Sequence, residues 1–282
     1  MTARTLQAGQ QRLVTTRNAA FQQWQTLLTN RTKRHRAGEL LVQGVRPVSL
    51  ALEAGWQIRA VLTDGDARLS QWASEALSKA RHAGAVHYKL ASDLIAELGE
   101  KEDGAPEVLL VVAMPSDDLE RIPTSPDMLA VALDRPTSPG NVGSITRSLD
   151  AFGGSGLIVT GHAADPYDPR AVRASTGSTF TVPTVRSASA TPVLEWVEQV
   201  RASGIALQLL GTDERGDVEL PDADLTRPTL ILTGNETTGL ASVWREACDV
   251  MVRIPIGGHA SSLNAANATT VMLYEAIRQR RN

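Results

Sequence analysis

Three glycine-bearing turns hold polar side chains that could act on a bound substrate. The first runs Asp134-Arg-Pro-Thr-Ser-Pro-Gly-Asn-Val-Gly-Ser-Ile-Thr-Arg147, the second Leu232-Thr-Gly-Asn-Glu-Thr-Thr-Gly-Leu240, and the third Ile254-Pro-Ile-Gly-Gly-His-Ala-Ser-Ser-Leu-Asn264. In the third, Gly257 and Gly258 lack a Cβ and Pro255 offers no backbone donor, so the chain can approach a ligand closely. Arg147 falls about two turns into a helix that Asn141 is placed to cap, and Gly140 and Gly143 leave room for a substrate. A guanidinium hardly ever releases its proton, so Arg147 suits stabilisation of negative charge; a phosphate clamp or a surface ion pair is the plainer role. Glu236 sits in the turn before a helix, where a carboxylate is electrostatically favoured. Ser262 and Asn264 open the last helix, at positions that capping side chains often occupy.

These turns need regular elements to hold them. Strand-like runs recur near 128–133, 156–160, 180–185, 205–210, 228–233 and 250–254. Helical patterns intervene near 142–152, 169–175, 191–203, 239–247 and 262–279. The alternation predicts an α/β domain over 128–282 with a mostly parallel sheet covered on both faces. Upstream, strands near 58–63, 85–88 and 108–114 alternate with helices near 47–54, 68–83 and 91–98, which predicts a compact α/β domain over 31–114. Leu13, Ala20, Phe21, Trp24, Leu27 and Leu28 recur at three- and four-residue spacing, so residues 1–30 read as a helical arm. Residues 115–127, rich in proline and acid, read as the linker.

Charge is unevenly spread. The formal net charge is −3, yet residues 1–50 carry eight basic side chains against Glu39 alone, a local +7 that leaves −10 on the remaining 232 residues. Arg31, Lys33, Arg34, Arg36 and Arg46 fall in that segment. Such asymmetry points to a basic face that meets phosphate, with a solvated amphipathic helix as the alternative. The single cysteine, Cys248, excludes an internal disulfide and suits a reducing cytoplasm. The amino terminus has no apolar signal-peptide core, and the longest apolar runs are too short to span a membrane. His35, His82, His87, His162 and His259 lack ligand spacing, so no metal is expected. No Gly-x-x-x-x-Gly-Lys-Ser/Thr loop appears, and Gly-Gly-Ser-Gly at 153–156 is not a dinucleotide fingerprint.

Taken in order, the three turns resemble the signature of the SpoU family of RNA 2′-O-ribose methyltransferases, which use S-adenosylmethionine. The matches are Asn141, Gly143 and Arg147; then Gly234, Glu236, Gly239 and Leu240; then Ile254, Pro255, Gly258, Ser262, Leu263 and Asn264. Ile256 replaces the family's usual methionine, an apolar exchange of similar volume. Ala265-Ala266-Asn267 stands where Val-Ser-Val is usual. The resemblance implies a carboxyl-terminal trefoil knot, which topology rules alone would argue against. It also implies catalytic roles for Arg147, Asn141, Glu236, Ser262 and Asn264, with Glu236 orienting Arg147. Cofactor contacts are implied for Thr233, Gly234, Asn235, Ile254, Ile256 and Leu263, and for Leu210, Gly211 and Thr212, although a glycine there also simply ends a strand. Arg173, Ser175 and Gly177 are similar to a further family segment that would meet RNA phosphate, unless Arg173 pairs with Asp168. The region from the basic cluster through Gly44 and Arg46 is similar to the substrate-binding domain with a ribosomal-protein L30e fold. The implied substrate is RNA, with 23S ribosomal RNA favoured over tRNA, and the implied assembly is a homodimer. The arrangement also resembles self-protection enzymes of antibiotic producers, of the avilamycin- and thiostrepton-resistance type. An RNA-binding protein without catalysis is the rival reading, and a nucleotide-binding oxidoreductase a more distant one.

Overall fold

A computed structural model describes residues 11–99 and 105–281, in two units. The first comprises residues up to Pro115 together with Tyr167–Pro169. Its elements are β1 Gln11–Val14, α1 Ala19–Thr29, α2 Arg31–Ala37, β2 Glu39–Gln43, α3 Val45–Glu53, β3 Ile58–Asp64, α4 Gln71–His82, β4 Val86–Leu90, α5 Ser92–Leu98 and β5 Val108–Ala113. The five strands form one sheet in the order β1-β4-β3-β5-β2. β1, β4 and β3 run parallel, whereas β5 pairs antiparallel with β3 and β2.

The expected helical arm over 1–30 is corrected for its described part. Phe21, Trp24 and Leu27 of α1 are buried in the same core as Leu62, Leu94 and Val111, and Val14 joins them from β1. The three- and four-residue spacing is that of a core-facing stripe, so α1 belongs to the domain. The first ten residues of that expected arm lie outside the described residues. Asn18 caps α1 and Asn30 caps α2, each side chain accepting from a backbone N–H three residues on.

The second unit contains Ser116–Pro166 and Arg170–Asn282. Its strands are β6 Leu129–Asp134, β7 Gly156–Thr160, β8 Thr184–Ser187, β9 Gln208–Thr212, β10 Val218–Glu219, β11 Thr229–Thr233 and β12 Val250–Arg253. Its helices are α6 Pro139–Ala151, α7 Pro169–Ser175, α8 Thr191–Ala202, α9 Ser242–Ala247 and α10 Ala265–Arg280. The sheet order is β10-β12-β9-β11-β6-β7-β8, and each pair is parallel. Along β6, Leu129, Val131 and Leu133 face one core with α6 and α10, and Ala130 and Ala132 face the other with α8 and α9. Burial on both sides explains why these strands read as unbroken apolar runs.

Several expected boundaries shift for local reasons. Residues 116–127 are not a free linker: Ile122 is buried, Arg121 donates to the Thr184 carbonyl at 3.0 Å, and Asp117 pairs with Arg186 at 2.5 Å. The strand expected from 180 starts at Thr184, because Ser178–Phe180 form a 3-10 turn tied by Ser178 and Thr181 to Asp150. α6 begins at Pro139 with Ser138 as its cap, so Asn141 is not the cap but lies within the first turn. The last helix begins at Ala265, where Asn264 is the cap and Ser262 lies outside it.

Candidate active site

In an open parallel sheet, ligands collect beyond the carboxyl ends of the strands. The three glycine-bearing turns leave that edge from β6, from its neighbour β11, and from β12, which β9 separates from β11. Leu133 at the end of β6 is in register with Thr233 at the end of β11, Leu232 of β11 with Gly211 of β9, and Thr212 of β9 with Val252 of β12. Turns distant in sequence therefore emerge along one edge of the sheet.

The first two turns are tied together by groups that spacing did not single out. Asp134 is buried and accepts from Arg135 at 3.1 and 2.9 Å and from the Ala241 N–H at 2.8 Å. Arg135 holds a left-handed backbone (φ +52°), a conformation that costs energy for a residue with a side chain and persists only when its surroundings enforce it. Here Arg135 donates to the Gly239 carbonyl at 3.2 Å, and its own carbonyl accepts from Asn235 Nδ2 at 2.8 Å. The loop between is closed by Asn235 and Gly239, whose backbones exchange two hydrogen bonds. That closure delays α9 to Ser242 rather than the expected 239.

Glu236 is thereby held against the start of α6. One carboxylate oxygen accepts from the Thr137 N–H at 3.1 Å and hydroxyl at 2.9 Å; the other accepts from Asn141 Nδ2 at 3.0 Å. Asn141 Oδ1 in turn accepts from Asn264 Nδ2 at 3.2 Å, and Asn264 Oδ1 accepts from the Ala266 N–H at 2.9 Å. One chain of hydrogen bonds thus joins all three turns. Burial would raise the Glu236 carboxyl, but its own backbone N–H, Asn141 and Thr137 outweigh that and hold it below its ordinary value. The expected Glu236–Arg147 contact is replaced by Thr137 and Asn141. Arg147 is exposed and has no hydrogen-bond or ion-pair partner among the described residues, leaving a free cation on the helix that carries Asn141. α6 is fixed to α10 by Ser148 and Thr270 hydroxyls at 2.7 Å, and β11 to α10 by Thr233 and Thr269 at 2.9 Å.

The expected cofactor residues fall into two groups. Leu210 and Thr233 are buried and Thr212 donates to the Leu232 carbonyl at 3.1 Å, so these side chains build the edge and leave ligand contact to the backbone. Gly211 has a packing reason to be glycine: a Cβ there would lie 2.4 Å from Met251 Sδ and 2.5 Å from Cys248 Sγ. Asn235 spends its side chain inside its own loop, on Thr237, Thr238 and the Arg135 carbonyl. By contrast, the 255–264 segment faces outward. Ile256 and Leu263 are 40% and 39% exposed, nothing lies within 4 Å of where a Cβ would sit on Gly257 or Gly258, and Ser262 is exposed. Accessible backbone flanked by apolar side chains fits an adenine-bearing cofactor such as S-adenosylmethionine. Ile254 packs partly against the core beneath.

Gly143 does not leave room for substrate. A Cβ there would lie 2.1 Å from the Ala171 carbonyl, so the glycine admits α7, whereas Gly140 meets only Ser138 Oγ at 3.6 Å. Ser175 and Gly177 are buried, and the Ser175 hydroxyl ties Val172, Gly177 and Thr179. Of that segment only Arg173 is exposed. The Asp168 carboxylate lies 3.9 Å from Arg34. Arg34 itself is 2% exposed and donates to the Leu27 carbonyl at 2.6 Å, which removes it from the expected RNA-binding set. Arg31, Lys33, Arg36 and Arg46 are exposed, and Lys33 and Arg36 line a groove of about 340 Å³ with Gln22, Gln23 and Thr26. The Cys248 thiol is pushed up to about 11 by burial, with Asp249 adding to it, and is no nucleophile at neutral pH. Among the described residues no group of three His, Cys, Asp or Glu is arranged to hold a metal, and no helix is long and apolar enough to cross a membrane.

Comparisons with known proteins agree with this geometry. Residues 18–110 match the SpoU L30e-like domain, and residues 128–274 match the SpoU rRNA Methylase family. A 23S rRNA (uridine(2479)-2′-O)-methyltransferase of Streptomyces viridochromogenes is 59% identical over 269 residues, covering 95% of this chain and 93% of that protein. The crystal structure of the SpoU methyltransferase AviRb from Streptomyces viridochromogenes, in complex with the cofactor AdoMet, superposes with a TM-score of 0.90 at 59% identity over 94% of this chain and 99% of that one. An AdoMet-bound rRNA methyltransferase from Sinorhizobium meliloti gives 0.85 at 29% identity, over 96% and 98% of the two chains. With the motif turns converging at one sheet edge and both regions matched, the chain belongs to the SpoU rRNA methylase family.

Proposed function

We propose that this protein transfers a methyl group from S-adenosylmethionine to a ribose 2′-hydroxyl of 23S ribosomal RNA. The observation that carries this reading is the hydrogen-bonded chain Glu236–Asn141–Asn264, which unites three motif turns on one sheet edge, with Arg147 unpaired among the described residues further along the helix that carries Asn141. The relative's 23S specificity, at 59% identity over nearly the whole chain, supports the RNA class.

When bound, the cofactor supplies an electrophilic methyl on a sulfonium; the other requirements fall to the chain. The hydroxyl would have to lose its proton as its oxygen takes that methyl, the methyl–sulfur bond breaking and the sulfur leaving as a neutral thioether. Holding the two together contributes about 7–11 kcal/mol when the geometry is good. Arg147 stays protonated and stabilises the developing alkoxide. Glu236, with both oxygens engaged and its pKa lowered, is a poor proton acceptor. The proton leaves to water or to an RNA phosphate drawn in by Arg147. Backbone at Gly234 and at 254–258, with Ile256 and Leu263, would hold the cofactor, and Ser262 and Asn264 would line the junction with the target. Arg31, Lys33, Arg36, Arg46 and Arg173 bind RNA phosphate.

The same proposal includes a homodimer, a carboxyl-terminal trefoil knot and protection of a producer's own ribosome from an antibiotic that binds 23S rRNA. Exposed Ile256, Leu263, Val271 and Tyr274, all in the last loop and α10, support an interface formed by this end of the chain. Methyl-transfer assays on 23S rRNA and on tRNA test the substrate class: label in rRNA is expected, and label in tRNA alone would overturn it.

A further inference from the structure

We propose that Glu236 is a positioning residue that sets the direction of an amide relay through Asn141 to Asn264, and so leaves the second Asn264 N–H free for the substrate. The inference rests on the functional reading above for its purpose, though not for its geometry. An ionised carboxylate can only accept, and Glu236 accepts at both oxygens, with two donors from Thr137 on one and Asn141 Nδ2 on the other. Asn141 must therefore turn its nitrogen to Glu236 and its oxygen away. That oxygen takes a hydrogen from Asn264 Nδ2.

The far end is locked as well. The Ala266 backbone N–H can only donate, and it takes Asn264 Oδ1 at 2.9 Å as the cap of α10. Neither amide can flip without setting donor against donor or acceptor against acceptor. Each amide nitrogen carries two hydrogens, and the relay uses one of each. Asn264 is exposed, so its remaining N–H is a directed donor at the mouth of the site. A glutamate acting only through bulk or general charge would not impose that direction.

The test is a charge-swap cycle in the full-length protein. N141D sets two carboxylates face to face; adding E236Q returns a donor to that contact while the introduced carboxylate still accepts from Asn264. We expect N141D to lower kcat at least 30-fold, and N141D/E236Q to return to within about 5-fold of E236Q alone, with S-adenosylmethionine affinity unchanged throughout. A double variant as slow as the product of the two single losses would overturn the proposal. An activity-free arm separates this from the functional reading. The Asn264 side-chain amide proton bonded to residue 141 should be shifted downfield by NMR in the wild type and in N141D/E236Q, and that shift should be lost in N141L. An Asn264 signal unchanged by N141L contradicts the relay even where methyl transfer is intact; an enzyme inert on every RNA, with the expected NMR pattern, contradicts only the assigned activity.

Discussion

The role proposed for Arg147 depends on its being left without a partner. Several other arginines of this unit are occupied: Arg135 with Asp134, Arg186 with Asp117, Arg201 with Asp249, and Arg253 with Glu219. Arg280 is likewise spent, donating to the carbonyls of Leu225, Asp127, Met128 and Arg227. Arg147 is exposed on α6 without such a partner among the described residues, so its charge is available to an incoming anion. Arg147→Ala should therefore reduce kcat about 100-fold or more, in the range seen when a preorganised donor to a developing oxyanion is removed. Calorimetry should find cofactor affinity nearly intact, because the cation acts on the target. Retained turnover would remove Arg147 from the mechanism.

The elements that present these groups depend on close backbone packing, which a single sequence shows only in part. Gly143 lies where α6 meets the Ala171 carbonyl of α7. Gly143→Ala should destabilise the protein by about 1–3 kcal/mol through overpacking, read as a lower urea midpoint with unchanged slope. The strands β6, β7 and β11 were legible because each is buried along its whole length and bounded by polar turns, whereas the two-residue edge strand β10, only partly buried, left no such signal. Asn141, Glu236 and Asn264 were legible as site residues through their motif positions, but their mutual contacts were not: residues 95 and 123 apart meet only when parallel strands align their ends. Thr137 carries no signal at all, since its part is to donate twice to one carboxylate oxygen. The α1 stripe showed its period without showing which core it faces. Arg34 looked like its basic neighbours until the fold turned it inward to the Leu27 carbonyl. Arg31, Lys33 and Arg36 remain outward on α2. Reversing those three charges to Glu should weaken RNA binding and lower the slope of log affinity against log salt by about 2, at roughly 0.7–0.9 per phosphate contact. An unchanged slope would place the RNA on another surface.

In the proposed function a basic amino-terminal segment meets the RNA and the second unit holds the reactive groups. The local +7 of residues 1–50 against −10 on the rest keeps phosphate attraction on one part of the chain. Among the described residues, Leu13 and Val45 are also exposed, but Ile256, Leu263, Val271 and Tyr274 all fall within the last loop and helix, where Phe152 and Tyr274 meet edge to face. Light scattering should accordingly report a dimer, and Tyr274→Glu should shift it towards monomer; a wild-type monomer with full activity would remove the second copy from the account. The most direct test of the central claim is to incubate the protein with S-adenosylmethionine and unmodified 23S rRNA, then map the added methyl groups by nuclease digestion and mass spectrometry. The account predicts methylation on a ribose 2′-oxygen at one nucleotide, absent with Arg147→Ala. Methyl groups on a base, or none on any RNA under conditions where the cofactor binds, would contradict it.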